Sequence, residues 1–100
     1  MMIATVIGKA DASVKAPGLE GRKLLVVRSL GLTGEPEGGL MLAADAIGSG
    51  QGDMVAVASG GAALAGAGFA GVPCDAVVVA ILDHVYVENR EIIPHRRTNQ

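Results

Sequence analysis

The chain has 100 residues, enough for one domain with a modest core. Half of it is hydrophobic, a further 15 residues are glycine and only 18% is charged, against ~25% charged in ordinary soluble domains. A net charge of −2 excludes nucleic acid and anionic membrane as partners, both of which select basic surfaces.

The apolar excess cannot all be hidden inside one copy of so small a chain, so it predicts burial between copies, an obligate oligomer. The first residues lack a basic region and their apolar run is short, so no signal peptide is expected. Residues 2–8 alternate and are β-rich, a first strand. Residues 9–23 carry Pro17, Gly18 and Gly21 and read as a long connection. Residues 24–30 form a second strand, residues 31–39 an exposed, turn-rich loop and residues 40–45 a third strand.

A loop with glycine at every second position follows: Gly48, Ser49, Gly50, Gln51, Gly52 and Asp53. Such loops occur where the backbone must take φ > 0 or where another backbone or a ligand comes very close. A phosphate-binding loop would leave by a helix, whose N-terminus supplies the anion site. Here the exit is the β-branched run 54–59, a fourth strand, so the glycines read as packing devices between subunits.

Residues 60–69, rich in alanine, predict a helix of two to three turns. Residues 75–87 predict the longest strand, apolar without a break from Ala76 to Leu82 and therefore covered on both faces at that point. Residues 88–91 read as a turn, with Ile92-Ile93 as a short added strand that Pro94 ends. Five strands and one short helix fit a mainly β chain, a small, partly open, five-stranded barrel of the oligonucleotide-binding type (OB-like). Residues 1–87 make that barrel domain and 88–100 a C-terminal turn and tail, in which His95-Arg96-Arg97 is a solvated cluster.

Motifs that suggest chemistry fail on context. Gly66, Gly68 and Gly71 have dinucleotide-fingerprint spacing, but they close an alanine-rich segment instead of following a strand and opening a helix. Single-strand binding needs aromatic platforms and a basic groove, whereas this chain has Phe69, Tyr86 and an acidic balance. Asp45, Asp53 and Asp75 sit at strand ends, where aspartate caps turns. Asp83 and His84 are adjacent on a strand and point to opposite faces, so no nucleophile, base and oxyanion site assemble. Cys74 is alone and reads as a structural thiol in a reducing cytosol. No His/Cys pair has metal-ligand spacing, and neither metal nor cofactor is expected. Residues 54–74 carry no charge, but five glycines and Pro73 argue against a membrane span.

In order and spacing, residues 3–8, 21–27, 44–55, 60–63 and 73–83 together resemble the EutN/CcmL family, the vertex proteins of bacterial microcompartments. Arg28 stands where family members often have glutamine, and Asp53 where they often have glutamate. The resemblance implies a structural protein and not an enzyme. It implies a homopentamer that closes a carboxysome- or metabolosome-type shell at its five-fold points, in the bacterial cytoplasm, beside hexameric shell tile proteins. Residues Gly48 to Asp53 would line the crowded centre of the ring. The competing reading is an OB-like module that binds a small ligand or a protein, with no shell role.

Overall fold

The structure, a computed structural model, describes residues 1–95. Its strands are β1 (Met2–Ala10), β2 (Leu24–Leu30), β3 (Pro36–Asp45), β4 (Met54–Ser59) and β5 (Ala76–Ile81). One helix, α1 (Gly61–Gly66), precedes β5, and a hairpin of β6 (Tyr86–Val87) and β7 (Arg90–Glu91) follows it. The five long strands close a barrel in the order β1-β2-β3-β5-β4. Every pair is antiparallel except β3–β5, which run parallel and meet only at Ala44↔Val77 and Asp45↔Val78.

Alternation decides what faces inward. Ala4 and Val6 on β1, Leu25 and Val27 on β2, Ala43 on β3, Val55 and Val57 on β4, and Ala76 and Val78 on β5 form one buried cluster. Alanine and valine dominate because a five-stranded barrel leaves little interior volume. Outside the wall lies a second cluster, where Leu64 of α1 and Phe69 cover Ala44 and Val77. Val77 thus has its outer face covered while Val78 faces inward, as the unbroken apolar run requires. The Arg22 guanidinium lies 4.3 Å from the Phe69 ring centroid and closes this cluster toward solvent.

Several boundaries differ from the sequence reading, and β1 runs on to Ala10 where a strand over 2–8 was expected. β3 begins at Pro36, so Gly38 and Gly39 belong to a strand and not to the loop. Ser29↔Glu37 and Leu30↔Pro36 continue the ladder, and Arg28 spans the irregularity by donating from Nε and Nη2 to the Gly38 carbonyl at 3.1 and 2.9 Å. β5 stops at Ile81, because its partner β4 begins at Met54, whose carbonyl accepts the last bond from Leu82 N–H at 2.7 Å. α1 is shorter than expected: Gly60 offers no side-chain cap, and beyond Gly66 the chain turns to bury Phe69.

The hairpin turns at Glu88 and Asn89, both with positive φ (51° and 65°), the twist-matched geometry for a two-residue loop. Arg90 and Glu91, read as turn, are strand, and Ile92-Ile93 is not. The chain then returns to the barrel. Ile92 is buried and donates to the Val85 carbonyl at 2.8 Å, while His95 N–H donates to the Gly34 carbonyl at 2.9 Å. His95 also pairs with Glu35 at 2.9 Å, whereas Arg96 and Arg97 lie outside the described residues. No helix among the described residues is long and apolar enough to cross a membrane.

His84 Nδ1 sits 2.7 Å from Glu91 across the hairpin and its ring stacks on Tyr86. The hydrogen bond to Glu91, then the Glu91 charge, hold His84 above its ordinary pKa. A raised folded value means the contact is complete below the unfolded histidine's pKa and is lost as pH rises through the raised one. Amides of residues 86–91 should therefore exchange faster, relative to the barrel, above that titration than below it. Glu91→Gln should return the His84 titration, followed by NMR, to an ordinary value. An unchanged midpoint would show that the pair does not form in solution.

Candidate functional site

The glycine loop leaves β3 at Asp45 and enters β4 at Met54, and two carboxylates brace it from its ends. Asp45 Oδ1 accepts from Ser49 Oγ at 2.6 Å and from Ser49 N–H at 3.1 Å, and Oδ2 accepts from Gly48 N–H at 2.8 Å. Asp53 Oδ2 accepts from Gly50 N–H at 2.8 Å, and Asp53 N–H donates back to the Gly50 carbonyl at 3.0 Å. Lys23 Nζ donates to the Ser49 carbonyl, and the Lys23 carbonyl accepts from Asp45 N–H. The far end is laced to β1: Gly52 N–H donates to the Val6 carbonyl, and Val6 N–H to that of Asp53, both at 2.9 Å.

Ser49 is thereby fully buried inside a loop whose Gly48 and Gln51 are exposed. Burial pushes the Asp45 carboxyl up, but the bonds from the Ser49 hydroxyl and from the N–H groups of Ser49, Gly48 and Ile47 outweigh it and hold the group below its ordinary pKa. The result is a stiff, carboxylate-locked turn.

The glycines divide into two kinds. Gly48 and Gly52 have φ of 84° and 94°, so the backbone itself requires them. Gly50 is not at positive φ, so of the two reasons for a glycine in such a loop its backbone conformation is not the one that applies. A Cβ added at any of the three would meet no atom of this chain within 4 Å. Packing inside one copy therefore does not account for Gly50.

The Asp45–Ser49 pair lacks a base to activate it. Both described histidines are engaged elsewhere, His84 with Glu91 and His95 with Glu35. No group of three potential metal ligands occurs among the described residues. Cys74 is half-buried, and burial, then the neighbouring Asp75 charge, push its thiol up, away from the reactive thiolate. Gly66 ends α1 and Gly68 and Gly71 follow it, so the fingerprint spacing has no strand–turn–helix setting.

One feature escaped the sequence reading. A cleft of about 410 Å³ opens beside the loop, lined by Gln51 and Gly52 of the loop together with Thr5, Arg28, Leu40 and Pro94. Pro94 and His95 of the returning C-terminal segment contribute to it, and that contact joins residues remote in sequence.

Residues 1–83 match the profile of the family described as ethanolamine utilisation protein EutN/carboxysome. The chain belongs to this family. Among its EutN/CcmL relatives, the carboxysome shell vertex protein CcmL of Synechocystis sp. is 38% identical over 96% of each chain. The solved structure of Gloeobacter violaceus CcmL superposes with a TM-score of 0.83 at 36% identity, covering 94% of this chain and 97% of that one. The GrpN pentameric microcompartment shell protein from Rhodospirillum rubrum gives a TM-score of 0.74 at 34% identity, covering 87% of this EutN/CcmL chain and 99% of the GrpN chain.

Proposed function

We propose that this chain is a structural vertex protein of a bacterial microcompartment shell, a homopentamer and not an enzyme. The observation that carries the reading is the near-complete, two-way match to CcmL and to pentameric GrpN through the whole barrel. The physics is geometric. Flat six-fold tiles make a sheet, and closing it into a polyhedron needs five-fold points. A heterologous contact whose rotation closes after five copies supplies them. Hexameric shell tile proteins are then the neighbours of the ring, and the shell in the cytoplasm is its location.

Within the ring, the loop from Gly48 to Asp53 lines the centre, where backbones from five copies converge. The open space around Gly50 in a single copy supports this placement, because only a neighbour would then require glycine there. Native mass spectrometry at micromolar concentration tests both statements. The wild type should give a five-copy mass, and a clean monomer or dimer would overturn the vertex role. Gly50→Val adds no left-handed strain and its Cβ falls in open space in its own chain, so it should keep the β-type circular dichroism and lose the ring mass. A normal Gly50→Val ring would place the loop away from the axis.

A further inference from the structure

The outer face of the barrel carries a site of its own. Ala4 and Val6 of β1 and Val27 of β2 point into the barrel, so Thr5 and Arg28 point out, and the register sets them directly opposite each other. Both line the cleft of about 410 Å³, a volume in the range of small-molecule sites. Thr5 is buried although it faces outward, and Arg28 is half-buried. Much of the remaining lining is apolar, supplied by Ile7, Pro36, Leu40 and Pro94.

The charge of this lining is positive and unopposed. The chain has ten acidic residues against eight lysines and arginines, yet no aspartate or glutamate lines the cleft. His95, which also lines it, is paired with Glu35 at 2.9 Å. Arg28 has no carboxylate partner among the described residues. Its Nε and Nη2 both donate to the Gly38 carbonyl, a neutral acceptor. A guanidinium carries five N–H donors in a fixed plane, so this contact holds the plane in place and leaves the Nη1–Nη2 end for another acceptor. The spacing of that end matches the two oxygens of a carboxylate.

We propose that the cleft is a binding site for a small monocarboxylate with a short apolar body. The carboxylate takes the remaining end of the Arg28 fork in two parallel N–H···O bonds, with the Thr5 hydroxyl and the Gln51 amide as the neighbouring polar groups. The body lies against Leu40, which is 71% exposed, so covering it adds affinity that an inorganic anion cannot gain. A phosphate ester fits less well, because the lining offers no lysine for its second charge. Every group invoked belongs to one copy, so the inference does not rest on the ring reading.

Amide NMR of the purified protein in its native assembly, titrated with sodium butyrate at constant ionic strength, tests this. The comparison ligands are 1-butanol, which has the body without the charge, and inorganic phosphate, which has charge without the body. Butyrate should give saturable shifts with a Kd on the order of 1 mM, confined to amides of residues 5–7, 28, 40 and 51–52. Both comparison ligands should bind at least about five-fold more weakly. Arg28→Gln should weaken butyrate about ten-fold, the worth of a hydrogen bond to a charged group. Because that variant also removes the bridge to Gly38, Leu40→Ala supplies a second reading that leaves the bridge intact. It should erase much of the preference for butyrate over formate. No saturable shift at the cleft amides, an equal response to butyrate and 1-butanol, or an equal response to butyrate and phosphate would each overturn the proposal. Wild-type affinity in a folded Arg28→Gln would do the same.

Discussion

Gly34→Ala is expected to lower the melting temperature by on the order of 10–25 °C, the largest effect of any glycine-to-alanine change on this barrel. An ideal Cβ at Gly34 falls 1.9 Å from the Ile93 carbonyl oxygen and 2.9 Å from its carbonyl carbon, where the obstacle is backbone and not a mobile side chain. The residue also has φ of +81°, which costs a non-glycine residue roughly 1–3 kcal/mol. It cannot back away, because its own carbonyl holds His95 N–H at 2.9 Å. Relief comes only by lifting the segment 92–95, which would draw the buried Ile92 out at about 1.5–3 kcal/mol. Gly21→Ala is the matched control: φ is +73° and nothing lies within 4 Å, so it carries the strain without the collision. Equal melting temperatures for the two variants would show that the C-terminal segment adds nothing to the barrel. Accelerated exchange of the Ile92 amide in Gly34→Ala alone would locate the damage.

What could be read in the sequence follows the range of the interactions. β1, β2 and β4 announce themselves because alternation and β-branched runs are properties of the strand itself. The start of β3 is hidden by Gly38-Gly39, whose loop signal is overruled by pairing with β2 and by the Arg28 bridge. The end of β5 is hidden for the opposite reason. Residues 83–87 alternate as a half-exposed strand would, but strand length is set by where β4 begins, which β5's own residues do not encode. The glycine loop was legible as a position between strands, and Asp45 and Asp53 at its ends are turn-capping types. That Gly48 and Gly52 need their conformation while Gly50 does not required backbone angles. The cleft and the docked C-terminal segment were illegible, since Gly34 and Ile93 meet only once the barrel has closed.

Asp45→Ala should cost about 2–4 kcal/mol at neutral pH, because it strands several donors at once. The Ser49 hydroxyl, 2.6 Å from the carboxylate, is fully buried and would have no acceptor there; the N–H groups of Gly48 and Ser49 lose theirs as well. Asp45 is itself half-buried, so water can satisfy part of the loss, which keeps the figure below the sum of three orphaned donors. Ser49→Ala should cost less, since both backbone bonds to Asp45 survive it. The pH dependence has a definite sign. The folded pKa of Asp45 lies below its unfolded value, so its contribution is complete above the ordinary carboxyl range, ~3.9, and is lost as pH falls through the lowered value. The melting-temperature gap between wild type and Asp45→Ala should therefore be full at pH 7 and shrink steadily in acid. A gap that is constant with pH would mean the side chain acts by packing and not as a carboxylate. Since the Asp45 side chain bonds residues 47–49 of the loop and the bonds that lace the loop to β1 do not involve it, the ring should also need a higher protein concentration to form in Asp45→Ala while the barrel is still folded. Native mass spectra taken along a dilution series would show it. A variant that loses ring and fold at the same concentration would instead make the brace a part of the core.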